Sequence, residues 1–281
     1  MLGALIGDTV GSVYEFHNIK TTDFPFFSHG CTFTDDSVMT MAVAEWLLAG
    51  KGRTMDMLED AMVVLASRYP NRGYGGGFYH WLFFPDELRS YDGQQNNGLR
   101  HPYGSFGNGS AMRVSATGWF FDTLEETELW AEKSAAITHN HPEGIKGAQA
   151  TAAAIFMART GKTKNEIRDY ITSRFGYDLS QTCDEIRPTY RFNETCQETV
   201  PQAIVAFLES TDFESCIRLG VSLGGDTDTL CAIAGAIAEA FYGSIPEQIV
   251  AHEWSLLPED FHDILRRCAA SSHYRLPKGC E

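Results

Sequence analysis

The sequence lacks a CxxC pair, a GxxxxGK loop, an HExxH helix and any convincing alternation of apolar and polar residues along a strand. These absences remove thiolate zinc sites, P-loop nucleotide chemistry, zincin-type proteolysis and a sheet-based fold from the expected classes. Positive charge is scarce: 22 Lys and Arg stand against 37 Asp and Glu, for a net charge of −15. Phosphate backbones require clustered cations, so nucleic acid is not an expected partner. The seven cysteines (31, 183, 196, 216, 231, 268 and 280) are odd in number and scattered. That usage fits reduced thiols in a cytoplasmic protein better than a disulfide framework. The apolar start Met1–Gly7 has no basic residues and is cut short by Asp8. It therefore reads as a buried first helix, neither a signal peptide nor a membrane span, and no membrane partner is expected.

What the chain has in quantity is helical periodicity. Apolar residues recur at helix spacing over Ser37–Leu48, Thr54–Arg68, Glu125–Ile137, Lys146–Arg159, Lys164–Phe175, Val200–Leu208, Phe213–Leu223 and Thr229–Tyr242. Gly- and Pro-containing joints separate them, among them Gly73–Gly77, Gly93–Gly109, His139–Gly144 and Gly224–Gly225. With 43% hydrophobic residues in 281 and no dividing linker, an all-α, compact helical bundle is expected, a single domain over 1–281.

Two segments bring acids to the start of an apolar helix. In Phe33-Thr-Asp-Asp-Ser-Val-Met-Thr40, Asp35 and Asp36 are adjacent; in Ser222-Leu-Gly-Gly-Asp-Thr-Asp-Thr-Leu230, Asp226 and Asp228 follow a Gly hinge. Each alone is accounted for by capping, because an N-cap hydroxyl and first-turn acids satisfy free amides and the helix dipole. Together they supply four carboxylates and the hydroxyls of Thr34 and Thr229, a hard-oxygen set suited to Mg²⁺ or Mn²⁺. Without cations, each like-charged pair at about 4 Å would cost about 1 to 4 kcal/mol. Spacing alone leaves open whether they meet. Asp226-Thr-Asp-Thr also matches the DxDxT pattern of aspartyl-phosphate phosphatases, but the segment before it reads as a helix, not a parallel strand. An EF-hand is excluded by the missing loop and terminal Glu.

Gly73-Tyr-Gly-Gly-Gly-Phe78 and Gly104-Ser-Phe-Gly-Asn-Gly-Ser-Ala-Met-Arg113 are loops in which bare backbone can approach an anion such as a diphosphate, or are simple turns. His139-Asn-His141 precedes Pro142 at another helix start and is equally readable as a turn with structural histidines. Glu15, near the end of Gly7-Asp-Thr-Val-Gly-Ser-Val-Tyr-Glu15-Phe16, is a general base or, as residue chemistry alone favours, a solvated helix residue.

The ordered set Gly3-Ala-Leu-Ile-Gly-Asp-Thr-Val-Gly-Ser-Val-Tyr-Glu15, Thr34-Asp-Asp-Ser37, Ser105-Phe-Gly-Asn-Gly-Ser-Ala-Met-Arg113, Thr138-His139 with Gly144 and Gly147, and Gly224-Gly-Asp-Thr-Asp-Thr229 resembles the ADP-ribosylglycohydrolase family as far as about Gly243. The resemblance implies an orthogonal all-α fold and a dinuclear Mg²⁺ or Mn²⁺ centre held by Thr34, Asp35, Asp36, Asp226, Asp228 and Thr229, with Asp228 bridging. It implies a catalytic or gating role for Glu15 and catalytic roles for Asp36 and Asp228. It implies diphosphate binding by Gly75, Gly76, Gly77, Ser105, Phe106, Gly107, Asn108 and Gly109, and places His139 near the distal ribose or phosphate. Phe106 stands where some relatives carry Tyr, which keeps stacking but removes a hydroxyl.

The implied reaction is hydrolysis of the bond between ADP-ribose and an acceptor on a protein or small molecule, arginine first, with ADP-ribose as product. An oxocarbenium-like transition state gains from fixed ribose hydroxyls and a delivered water. Gly93–His101 and Gly176–Thr195 are the segments expected to build the acceptor rim. A noncatalytic ADP-ribose-binding protein of the same fold is the alternative, separated from the enzyme by release of free ADP-ribose.

Overall fold

Glycines at every fourth position let the first helix lie directly on another backbone. α1 (Leu2–Gly11) is buried over its whole length. A Cβ on Gly3 would come within 2.4 Å of the Gly235 carbonyl oxygen, on Gly7 within 2.0 Å of that of Cys231, and on Gly11 within 2.3 Å of that of Thr227. All three contacts lie on one later helix, which is why α1 carries no side chain on that face.

The computed structural model describes residues 1–84 and 100–280. In chain order α1 is followed by α2 (Asp35–Leu48), α3 (Met55–Arg68), α4 (Gly76–Phe83), α5 (Gly109–Met112), α6 (Thr117–Phe120), α7 (Leu124–Ala136) and α8 (Pro142–Arg159). α9 (Lys164–Phe175), α10 (Cys183–Ile186), α11 (Cys196–Glu209), α12 (Phe213–Leu223), α13 (Thr227–Tyr242), α14 (Glu247–Leu256) and α15 (Glu259–Ser271) complete it. Among the described residues the β pairing is limited to one isolated antiparallel bridge between Gly107 and Thr195. The architecture is all-α, as the periodicity and the resemblance both require.

α13 is the axis. Every residue from Thr227 to Ala240 is buried, and α1, α8, α11 and α12 pack around it. A helix enclosed on all sides must be apolar or small all round, which accounts for its Ala- and Ile-rich sequence. The element starts are set locally. Thr34, Thr54 and Thr123 cap α2, α3 and α7 through their hydroxyls, and Thr163 forms a capping box with Glu166 at α9. Gly224 and Gly225, at φ 72° and 79°, make the reversal that delivers the first turn of α13 to one end of the axis. No helix of the described residues is long and apolar enough to cross a membrane.

Candidate metal and nucleotide site

The two acidic helix openings meet. Thr229 Oγ1, in the first turn of α13, donates to Asp36 Oδ2, in the first turn of α2, at 3.2 Å. Asp36 and Asp228 each place a carboxylate oxygen in a set with Asp8 whose atoms lie within 4.8 Å of one another, and Asp228 is also in a second such set with Glu15 and Asp226. Asp228 is thus common to both groups. Asp35 lines the same cleft, with its oxygens outside either group. Thr34, the cap of α2, has its hydroxyl 2.7 Å from Asp8 Oδ1 and 3.4 Å from Asp36 Oδ2.

Asp8 is a site residue that the motif reading did not include. It sits on the buried face of α1 and accepts from Thr34 N at 2.9 Å, Thr34 Oγ1, Ser37 N at 3.0 Å and Ser37 Oγ. Four donors from the opening of α2 occupy its lone pairs, so Asp8 anchors that opening to α1. The signal was present as an acid inside an otherwise apolar, glycine-striped helix. Asp226 is steered similarly: Asn108 Nδ2 donates to Asp226 Oδ2 at 2.7 Å and to Thr199 Oγ1 at 3.0 Å. The Asn108 side chain therefore orients an acid as well as lining the cleft.

Glu15 is not a solvated helix residue. α1 ends at Gly11, and Glu15 stands half-buried in the turn that follows, beside Asp226 and Asp228. Burial, then the charges of Asp228 and Glu194, push its carboxyl up to about 8. Burial alone pushes Asp8 up to about 6, against the hydrogen bonds from Ser37 and Thr34. Burial, with the charges of Glu15 and Glu194, pushes Asp226 up to about 6. Burial with repulsion among the acids holds Asp35, Asp36 and Asp228 well above the usual carboxylate range. Asp36 Oδ1 is buried without a hydrogen-bond partner.

The acids floor a cleft of about 800 Å³, including the part open to solvent, whose walls include Gly75, Gly76, Gly77, Ser105, Gly107, Asn108, Gly109 and His139. A Cβ on Gly75 or Gly76 would meet nothing within 4 Å, so bare backbone faces the opening at the start of α4, where amides lack helical acceptors. Ser105 Oγ accepts from Gly107 N at 3.2 Å and shapes the second loop. That loop is tied to the segment after α10 by Asn108 N donating to the Glu194 carbonyl at 2.7 Å and Cys196 N to that of Phe106 at 3.0 Å. Phe106 is 46% exposed and packs edge-on against His141 at 5.3 Å. His141 accepts from Glu143 N as the cap of α8. Of the two rim segments, Gly176–Thr195 brings Glu194 to the cleft, with Phe192 two residues before it. Gly93–His101 lies outside the described residues except for Arg100 and His101.

The sequence profile of ADP-ribosylglycohydrolases matches residues 1–274. The chain is similar to the ADP-ribosylhydrolase ARH3 of Homo sapiens, 28% identical over 88% of this chain and 86% of that one. It is similar to ARH3 of Xenopus tropicalis, 26% identical over 94% and 91%, and to the ADP-ribosylarginine hydrolase Tri1 of Pseudomonas putida (strain GB-1), 26% identical over 91% and 73%. Among solved structures an ADP-ribosylglycohydrolase-related protein complex superposes with a TM-score of 0.71, covering 96% of this chain and 94% of that one at 21% identity.

Proposed function

The chain belongs to the ADP-ribosylglycohydrolase family, and from that premise we propose that it is a metal-dependent hydrolase that frees ADP-ribose from an acceptor, foremost an arginine side chain. The observation that carries this reading is the convergence of buried acids from three segments beside a glycine-walled cleft. A cluster in which one carboxylate oxygen has no hydrogen-bond partner and its neighbours are also acids is a donor set that hard cations satisfy. Asp35, Asp36, Asp226 and Asp228 would hold two divalent cations, Mg²⁺ or Mn²⁺, with Thr34 and Thr229 beside them and Asp228 shared. Bound there, the cations supply Lewis acidity toward a water and toward ribose hydroxyls.

The chain's own groups do the rest. Gly75–Gly77 and Ser105–Gly109 present backbone to the diphosphate, and Phe106 offers its exposed face to a base. Asp8 and Asn108 hold α2 and Asp226 in place, so that little reorganisation accompanies the developing charge. The water oxygen bonds to C1″, the bond from C1″ to the acceptor atom breaks with its electron pair on the acceptor, and the water's proton passes to Glu15 and on to the leaving group. Glu15 and Glu194 in the cleft, with Phe16 at 75% and Phe192 at 42% exposure and rings 5.8 Å apart, make an acidic and aromatic mouth. That combination suits a planar cation, which favours arginine over serine or a neutral small molecule. We place the activity in the cytoplasm, in keeping with seven free cysteines, five of them buried, and in a single domain over 1–281.

The test is release of free ADP-ribose from ADP-ribosyl-arginine, ADP-ribosyl-serine and acetylated ADP-ribose, with Mg²⁺, Mn²⁺ or EDTA. Release is expected from the arginine substrate with either cation and not in EDTA. Asp228→Asn should lower kcat by about a thousandfold or more while ADP-ribose still binds. Binding without release by the wild type, or full turnover in EDTA or by Asp228→Asn, overturns the reading.

A further inference from the structure

One wall of the cleft ends in a hydrogen-bond relay that the reaction above leaves unused. Arg113, just after α5, is fully buried. Its Nη2 donates to the Ser134 carbonyl at 3.0 Å and to Thr138 Oγ1 at 2.9 Å. Thr138 Oγ1 lies 2.7 Å from His139 Nδ1. A cation, a hydroxyl and an imidazole thus stand in line, all three residues 4% exposed or less.

Counting protons fixes the direction of each bond. A guanidinium only donates, so Thr138 Oγ1 accepts the first bond. The threonine hydroxyl has one hydrogen to place, and His139 Nδ1 is the acceptor beside it. With the proton on Nδ1 instead, Thr138 Oγ1 would accept twice and its own hydrogen would be buried without a partner, at about 1–3 kcal/mol. A doubly protonated ring would leave the same orphan and add a second positive charge beside Arg113. Burial, and then the Arg113 charge, hold the His139 imidazole well below its ordinary range.

We infer that Arg113 and Thr138 are positioning residues that lock His139 as the neutral tautomer with its proton on Nε2, presenting one fixed donor to a phosphate oxygen of the ligand. Nε2 faces the glycine loop: a Cβ on Gly109 would stand 3.1 Å from it, and one on Gly107 3.5 Å. Among the described residues no group accepts from Nε2. The donor is therefore aimed at the backbone that the ADP-ribose reading assigns to the diphosphate. Arg113 adds a positive charge behind it that is 0% exposed. The identity of the ligand rests on that reading; the tautomer does not.

The tautomer is read on the ligand-free, ¹⁵N-labelled full chain from two-bond ¹H–¹⁵N correlations, with His139 assigned by its loss in His139→Gln. His139 is expected with Nδ1 bare and Nε2 protonated near neutral pH, unchanged on adding ADP-ribose. Thr138→Val should let Nδ1–H appear and raise KM about tenfold, the order of one hydrogen bond, with kcat changed less; Thr138→Ser should restore both. A wild-type ring carrying Nδ1–H or two protons overturns the inference even if ADP-ribose is released normally, and this arm needs no variant to fold. An unchanged tautomer in Thr138→Val overturns the part assigned to Thr138. A locked ring in a protein that does not bind ADP-ribose overturns the phosphate assignment together with the hydrolase reading.

Discussion

Replacing Asp36 with Asn should stabilise the cation-free protein while abolishing its activity. Asp36 is 2% exposed and contributes an oxygen to a three-acid set whose atoms lie within 4.8 Å of one another. At that separation two ionised carboxylates repel by about 3.5 kcal/mol for an effective dielectric of 20 and about 0.9 kcal/mol in bulk water. The cluster escapes part of this by holding protons. A carboxyl such as Asp8, raised from 3.8 to about 6, opposes folding by about 3 kcal/mol once the pH is above both values. The sign follows: a raised carboxyl costs nothing below its unfolded pKa, the cost grows as pH rises from that value to the folded one, and it is complete above both. In EDTA the wild type should therefore lose stability between about pH 4 and pH 8, from the unfolded values of Asp8 and Asp226 to the folded value of Glu15. Asp36→Asn removes one charge from the set and should gain about 1–3 kcal/mol near pH 8, or roughly 2–5 °C in Tm. The gain should shrink toward zero below about pH 4, where Asp36 is protonated in both states. With Mg²⁺ or Mn²⁺ the order reverses, because cation at about 100 times its Kd stabilises the wild type by about 2.7 kcal/mol and the variant by much less. Thermal melts across pH, with EDTA or cation, measure all of this. An Asp36→Asn protein that melts lower in EDTA at about pH 8, or an equal rise of both proteins with cation, refutes the reasoning.

Two further outcomes are expected. Gly7→Ala drives a methyl to about 2.0 Å from the Cys231 carbonyl. It should cost about 3 kcal/mol in chemical denaturation, the upper end for overpacking; a loss below about 1 kcal/mol would show that the α1–α13 contact yields easily. Glu194→Gln should raise KM for ADP-ribosyl-arginine about five- to tenfold with little change for the serine substrate. Equal effects on both would remove the acidic mouth from acceptor choice.

The helices and both acidic openings were legible in the sequence because each is a local pattern: period, cap, hinge. Their meeting through Thr229 and Asp36 was not contained in either pattern; it came from the resemblance and from the fold. Asp8 and Arg113 show the limit differently. Each belongs to a quoted motif, yet its importance lies in burial and in the partners it reaches, Thr34 and Ser37 for one and Thr138 for the other. Residue chemistry alone favours a solvated helix residue at Glu15 while the resemblance gives it a catalytic or gating role, because periodicity cannot show that α1 stops at Gly11. Asn108 was legible as loop, but its grip on Asp226 spans 118 residues.

The glycine face of α1 has one more consequence. Where two helices touch main chain to main chain there are no rotamers to relax, and Gly11 meets the backbone of Thr227 and Asp228 themselves. The gap between the acid clusters is thereby gauged by the thickness of two peptide chains. Phe16, Phe192 and Glu194 sit outside that gauge, so on the proposed reading of them as the acceptor mouth, loop exchange there should re-cut acceptor preference while the spacing of the carboxylates stays as it is.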